Sequence, residues 1–140
     1  MTETSTTQPT PLRPVQHDDL VVLTLPSTGE YLSVLRTATA GLAARLDFTL
    51  DEIEDLRIAV DEACAMLLAG PVEGPELVCS FSLTDDQISV AITVAVRGER
   101  LPPRETFAWT VLSALAGQVD AHANGDGTVT IALIKRRISA

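Results

Sequence analysis

Two neighbouring runs of alternating residues constrain the fold of this chain more than any other feature. Residues 76–83 place apolar side chains at every second position: Leu77, Cys79, Phe81 and Leu83. Residues 88–96 repeat the pattern with Ile and Val against small residues, and the sequence TDDQ at 84–87 forms a turn between the runs. A period of two is typical of a strand with one apolar face. The pattern predicts an antiparallel hairpin with one buried face.

The rest of the chain supplies more strands and the helices that cover them. Strands are predicted over 20–25, 119–123 and 128–135, and helices over about 27–46, 49–70 and 106–118. Ser27 and Glu30 match a capping box at the start of the first helix. The inward stripe of that helix comprises Leu32, Leu35, Thr39, Leu42 and Leu46, and the apolar positions of the third helix include Phe107, Val111, Leu112 and Leu115. The order β-α-α-β-β-α-β-β favours an α+β two-layer sandwich, with a mostly antiparallel sheet and helices on one face.

The helix predicted over 49–70 combines a clear start with an unusual interior. Thr49 and Glu52 form a capping box. A buried stripe follows at helical spacing: Ile53, Leu56, Val60, Ala63, Cys64 and Leu67. A second stripe flanks it: Asp55, Ala59, Glu62 and Met66. Because no polar face remains after Glu62, we expect this helix to be buried on more than one side, with a single carboxylate in its apolar part.

Composition limits the function classes that fit the chain. Its 140 residues suffice for one domain, predicted over 18–140, and the Thr/Pro-rich segment 1–17 is expected to be a disordered tail. A net charge of −9 argues against binding to nucleic acid and fits a basic partner. With no signal peptide and no run that could span a bilayer, we expect a cytoplasmic protein that does not bind a membrane. Cys64 and Cys79 fall at apolar positions and are expected to be reduced core thiols rather than metal ligands.

Two sequence phrases and the order of elements carry a resemblance to a known family. The phrases are DLRIAVDEACAMLL, within the helix at 49–70, and FAWTVLSALAGQV, from residue 107 onwards. With them, about residues 20–137 resemble the bacterial anti-sigma factors that are also serine-protein kinases. That family has the histidine-kinase/Hsp90-type ATPase (Bergerat) fold. The resemblance implies this fold, a candidate nucleotide site, and protein partners in the control of transcription.

The candidate nucleotide site departs from the family pattern at three places. The family has a catalytic Glu followed four residues later by a magnesium-binding Asn; Glu62 matches the Glu, but Met66 replaces the Asn. A thioether is a poor ligand for magnesium, which prefers hard oxygen. The first glycine box retains only Gly98, and Thr106 and Ala108 stand at the glycine places of the second. We therefore expect no standard ATP site and no metal, with ATP and magnesium as cofactors only if the chain is an active kinase.

Several side chains each have two interpretations. Glu62 is either a surviving catalytic base or a vestigial carboxylate, solvated at a pocket edge or paired with Arg57 or Arg97; we favour the second. Arg36 matches a partner-binding arginine of the family, but it could also be a solvated surface residue. Trp109 is expected to fill the core rather than to anchor a partner. The loop arginines Arg97, Arg100 and Arg104 could grip an acidic partner, although a solvated connector is favoured, and His122 is expected at the surface.

The sequence therefore favours an anti-sigma factor as the function. It would sequester an alternative sigma factor through the first helix and be relieved by an anti-anti-sigma protein that competes for overlapping contacts. The resemblance also makes a homodimer plausible, through the sheet or the first helix. One alternative is an active serine/threonine kinase that phosphorylates the anti-anti-sigma protein. Another is a small-ligand sensor that uses the remodelled pocket.

Overall fold

The fold is a five-stranded antiparallel sheet with three α-helices, seen in a computed structural model that describes residues 19–138. The predicted tail at 1–17 lies outside the described residues. In chain order the elements are β1 (Asp19–Pro26), α1 (Leu32–Arg45), α2 (Leu50–Leu68), β2 (Val72–Leu83), β3 (Gln87–Val96), α3 (Phe107–Ala116), β4 (Gln118–Ala123) and β5 (Thr128–Arg136). Short 3-10 turns occupy Gly29–Tyr31 and Arg97–Glu99. This order of elements is the predicted one.

The sheet buries one face, as the alternating pattern predicted. Its strand order is β1-β2-β3-β5-β4, and every neighbouring pair is antiparallel. Phe81 lies opposite Val90, which lies opposite Leu133, and all three side chains are buried. The adjacent row on the other face, Ser80, Ala91 and Ala132, carries small side chains that stay partly accessible. The α+β fold class with helices on one face is confirmed.

Helix α2 forms the centre of the helical layer. It packs between α1 and α3 and also contacts β3 and β5, so it is buried on more than one side, as predicted. The buried positions of its stripe are Leu56, Val60, Ala63, Cys64 and Leu67, while Ile53 is partly buried. The side facing away from the sheet is exposed at Ala65. Within residues 19–138 no helix is long and apolar enough to cross a membrane.

Both cysteines lie in this core as free thiols, as predicted. Cys64 is on α2 and Cys79 on β2, and neither side chain is accessible to solvent. Burial raises the pKa of Cys64 to about 12, with a smaller contribution from the charge of Asp61. Burial also raises the pKa of Cys79. Both groups therefore remain neutral thiols at physiological pH and act as small apolar side chains.

The predicted capping box at Ser27 is wrong. The Ser27 hydroxyl donates to the carbonyl oxygen of Gly74 at 2.7 Å, and its backbone amide donates to the Pro75 carbonyl at 2.9 Å. Ser27 therefore ties the end of β1 to β2 and cannot cap a helix. After a 3-10 turn, α1 begins at Leu32 behind Tyr31, which makes no side-chain cap.

The inward faces of α1 and α3 were predicted only in part. On α1, Leu35 and Thr39 are buried, the other predicted leucines are partly buried, and the unpredicted Ala43 is fully buried. On α3, Leu112 is buried and Val111 and Leu115 are partly buried, whereas the apolar side chain of Phe107 is 82% exposed. Five residues separate Phe107 from Leu112, which is about 140° around a helix. The two side chains therefore cannot share one face.

The predicted capping box at Thr49 is present, and its Glu52 carboxylate also bonds to a residue outside the helix. The Thr49 hydroxyl accepts from the Glu52 amide at 3.1 Å, and Glu52 accepts from the Thr49 amide at 2.8 Å. The buried Glu52 carboxylate also accepts from the backbone amide of Ile138 at 2.6 Å. Arg137 adds a hydrogen bond to the Leu46 carbonyl at 3.2 Å. Glu52 thus fastens the end of the described chain to the α1–α2 junction.

Glu52 is expected to make stability depend on pH. Burial disfavours its charged form, but hydrogen bonds from the Ile138 and Thr49 amides outweigh this and lower its pKa. Because the pKa is lower in the folded state, stability is fully present above the unfolded-state pKa and is lost as pH falls through the folded-state value. We expect Glu52→Gln to lower the free energy of unfolding by roughly 1–3 kcal/mol near neutral pH, as lost caps and lost charged hydrogen bonds do.

Chemical denaturation across a pH series would test this expectation. Asp51→Asn is the matched control, because Asp51 lies in the same helical turn but is exposed. The control should behave like the wild type. Equal acid sensitivity in wild type and Glu52→Gln would contradict the assignment.

Candidate functional site

Glu62, the predicted catalytic position, lies on α2 as a partly buried carboxylate. Neither arginine considered as its partner pairs with it. Arg57 donates to Glu54 at 2.6 Å, and Arg97 donates to Glu73 at 2.9 Å. Within residues 19–138, Glu62 makes no side-chain hydrogen bond or ion pair. The predicted pairing of Glu62 with Arg57 or Arg97 is therefore wrong. The Glu62 carboxylate lies at the solvent boundary.

A cavity of about 260 Å³ opens where the end of α2 meets the end of β3 and the loop after it. Of the predicted nucleotide-box positions, only Met66 lines it; Glu62, Gly98, Thr106 and Ala108 do not. The ten lining residues are Met66, Leu67, Ala69, Gly70, Pro71, Val96, Arg100, Leu101, Pro102 and Pro103.

The lining of this cavity does not fit a magnesium–nucleotide complex. No lining side chain has an oxygen atom, and magnesium takes oxygen ligands. In the part of the chain that the structure describes, no group of three or more His, Cys, Asp or Glu side chains could hold a metal ion.

The loop that closes the cavity is fastened by Glu99, a residue that the sequence analysis missed. Its two carboxylate oxygens accept from the backbone amides of Gly125 and Gly127 at 2.9 and 3.0 Å. Both glycines lie in the turn between β4 and β5. The backbone of Gly98 and Glu99 is left-handed, with φ of 68° and 50°. No local pattern could reveal this clamp, because its partners lie some 26 residues away.

The other end of the loop is fastened to β4 and α3. Arg104 donates to the Asp120 carboxylate at 3.1 Å and to the Ala121 carbonyl at 2.9 Å, and its guanidinium lies 4.8 Å from the centre of the Trp109 ring. Hydrogen bonds from Arg104 and from His122 lower the pKa of Asp120. Arg97 and Arg104 thus make specific intramolecular contacts and are not merely solvated.

The predicted positions near α3 have structural contacts. Thr106 is the N-cap of α3, with its hydroxyl accepting from the Trp109 amide at 3.2 Å. Trp109 is partly buried and packs against the core, which agrees with the favoured interpretation, but it does not line the cavity. His122 is exposed, as expected, and lies 3.1 Å from Asp120. Thr106 therefore has a capping role that needs no nucleotide.

Removing the Glu99 carboxylate is expected to loosen the loop over the cavity. In Glu99→Ala the amides of Gly125 and Gly127 lose their acceptors, so their hydrogen exchange should accelerate at least severalfold, while the core strands keep their protection. Exchange measured by NMR would check this. The matched control is Glu73→Ala, which removes the Arg97 pair at the start of the loop and leaves both glycine amides bonded. Unchanged exchange in Glu99→Ala would contradict the clamp.

Arg36 lies on α1 beside α2, off the buried stripe as predicted. Its Nε atom donates to the Asp61 carboxylate, at 3.1 Å to Oδ1 and 2.9 Å to Oδ2. The side chains of Arg36 and Asp61 are 38% and 36% exposed. The guanidinium is therefore accessible but held in one orientation by α2. Asp61 is not among the site residues predicted from the sequence, although it directly precedes Glu62.

Comparison with known proteins relates this chain to RsbW proteins. No family model matches the chain. It is 35% identical over 80 residues to the serine-protein kinase RsbW of Halalkalibacterium halodurans, covering 56% of this chain and 49% of that protein. It is 32% identical over 77 residues to the serine-protein kinase RsbW of Bacillus subtilis, covering 53% and 48%. The chain thus spans about half the length of the curated relatives that it matches.

A solved structure supports the fold. The chain aligns with a crystal structure of the RsbU and RsbW domains of Rv1364c from Mycobacterium tuberculosis. The alignment has a TM-score of 0.68 at 16% identity, and covers 87% of this chain and 34% of that one. The predicted Bergerat-type fold is confirmed, and the similarity to RsbW proteins is consistent with the resemblance drawn from the sequence.

Proposed function

We propose that this chain is an anti-sigma factor that acts by stoichiometric binding. It sequesters an alternative sigma factor in the cytoplasm, where it blocks access of the sigma factor to core RNA polymerase. An anti-anti-sigma protein releases the sigma factor by competing for overlapping contacts. The proposal rests on the similarity to RsbW proteins over about half of their length and on the resemblance of the two long helices to the anti-sigma family.

The surface of α1 supports this proposal most directly. Arg36 matches the partner-binding arginine that the family resemblance implies, and Asp61 on α2 holds its guanidinium at 2.9 Å. An arginine that is already oriented loses less conformational entropy when it binds a partner. Arginine is also enriched at the residues that dominate interface energies. We therefore place the sigma-binding surface on α1.

Copurification with variants at Arg36 and Asp61 would test the partner and the surface together. Tagged wild-type protein, added to a lysate of its source organism, should retain a sigma factor that mass spectrometry identifies. Arg36→Ala should weaken this binding at least about tenfold, or about 1.4 kcal/mol, because it removes an interface arginine.

Asp61→Asn is the matched control for this experiment. It breaks the same internal ion pair but keeps the guanidinium, so it should retain most of the binding. If no sigma factor is retained by the wild type, the proposed function is wrong. If both variants weaken binding equally, Arg36 acts only through its internal pair, and the assignment of the surface is wrong.

An active kinase is the second candidate. It is favoured by Glu62, whose partly buried carboxylate has no partner within residues 19–138 and stands at the place of the family's catalytic base, and by the relatives' name, serine-protein kinase. The absence of side-chain oxygens among the residues that line the cavity argues for the binding-only mechanism.

Calorimetric titration with ATP separates the two candidates. The binding-only mechanism predicts no magnesium-dependent saturable heat, and the same trace for wild type and Glu62→Gln. Tight, magnesium-dependent binding that Glu62→Gln abolishes would establish the kinase instead. Met66→Asn offers a complementary variant: it supplies the missing oxygen ligand, and any gain of magnesium-dependent binding would locate the nucleotide site at this end of α2.

A homodimer is a further part of the proposal. The edge strand β1 exposes Leu20 and Val22, which are 64% and 54% accessible, on the face of the sheet that the helices leave open. Apolar side chains on an open sheet face favour association.

A further inference from the structure

A second arginine shares an open cleft with Arg36. The cleft lies between α1 and α2, has a volume of about 300 Å³, and is lined by Ser33, Arg36, Thr37, Ala40 and Arg57. No acidic side chain lines it. It is separate from the cavity under the loop after β3, with which it shares no residue.

Both guanidinium groups keep unused donors. Arg36 bonds to Asp61 through Nε alone, which leaves its two terminal nitrogens without a partner in the described chain. Arg57 bonds to Glu54 through Nη1 alone, which leaves Nε and Nη2. The two side chains are 38% and 34% exposed, so an incoming group can reach them. Each internal ion pair thus orients an arginine and leaves some of its N–H donors free.

The hydroxyl groups of the cleft add to this donor set. The Thr37 hydroxyl donates to the Ser33 carbonyl at 3.0 Å, an interaction within α1. The Ser33 hydroxyl has no hydrogen-bond partner within residues 19–138 and remains able to donate. The cleft therefore offers two guanidinium forks and a hydroxyl, and the only acceptors that these arginines use lie outside its lining.

We propose that this cleft binds a phosphoryl group. A carboxylate has two oxygens and is satisfied by one guanidinium fork, whereas a phosphoryl group carries about two negative charges and three acceptor oxygens. Two forks and a hydroxyl match the phosphoryl group better. Arginine clusters are also a common means of recognising phosphorylated residues. The group could come from a free phosphate or from a phosphorylated side chain of a protein.

Binding in the cleft would bring an anion close to the internal ion pair of Arg36. Asp61 accepts from the same guanidinium, and its negative charge repels an incoming anion. An occupied cleft would therefore use the terminal nitrogens of Arg36 that are otherwise free to contact a partner. Because Arg36 is the residue to which partner binding is assigned above, phosphoryl binding would regulate that surface. This last consequence rests on the proposed function, whereas the binding site itself does not.

NMR titration of the full chain with inorganic phosphate would test the site. Ionic strength is held constant with sodium chloride, because exposed charges are screened by salt. We expect saturable shifts confined to the backbone of residues 33–40 and 57–61 and to the side-chain signals of both arginines. A parallel titration uses a short peptide in which phosphoserine is the only charged side chain. It distinguishes the two sources of the phosphoryl group. Tighter binding of the peptide indicates a phosphorylated protein, and tighter binding of inorganic phosphate indicates a free ligand.

Four variants make the test specific. Arg57→Gln should weaken binding more than tenfold, and Arg57→Lys should weaken it less, since it keeps the charge but loses the fork. Asp61→Asn should tighten binding severalfold, a gain that a merely structural role of Asp61 would not produce. Arg97→Gln removes an equally paired surface arginine away from the cleft and should change nothing.

Three outcomes would overturn the proposal. They are shifts that do not saturate, an unchanged affinity in Arg57→Gln, and acetate binding as tightly as phosphate. None of them depends on a sigma factor. Failure of this proposal is therefore distinguishable from failure of the proposed function, which the copurification experiment tests.

Discussion

The packing of α2 on the buried face of the sheet is the contact on which the rest of the structure depends. Leu56, Val60 and Cys64 lie on the side of α2 that is inaccessible to solvent, and Ile92 and Ile131 are buried on the facing strands. Burial of apolar surface stabilises a fold by about 25 cal/mol per Å². Because one stripe of α2 packs on the sheet, the helical period sets the direction in which every other side chain of this helix points.

Because this stripe of α2 packs against the sheet, the two flanks of the helix carry different surfaces. Asp61 reaches Arg36 on α1 at 2.9 Å, whereas Met66 lines the cavity under the loop after β3. Five residues separate these positions, about 140° around the helix. Glu62 lies between them in sequence, at the solvent boundary. The helix therefore carries Asp61, the partner of Arg36, on one flank and Met66, at the cavity, on the other.

Polar clamps complete the structure where apolar packing ends. Glu52 fastens the last described residues to the start of α2, and Glu99 fastens the loop after β3 to the turn between β4 and β5. In both cases a carboxylate accepts hydrogen bonds from backbone amides, and such charge-assisted hydrogen bonds are stronger than neutral ones. With Arg104 bound to β4, the loop is held at both ends above the cavity. The cavity that Met66 lines is thus bordered by a loop that is fastened at both ends.

The sequence by itself determined the element order, the one buried face of the sheet, the capping box at Thr49 and the two buried thiols. Those features follow from local periodicity and capping chemistry, which act within a few residues. Only the tertiary structure decided the partners of Ser27, Arg36, Glu52 and Glu99. Ser27 bonds to Gly74 instead of capping a helix. Arg57 pairs with Glu54 and Arg97 with Glu73, and neither pairs with Glu62. A long polar side chain can reach several partners, and the folded backbone selects among them, so its contacts cannot be derived from spacing along the chain.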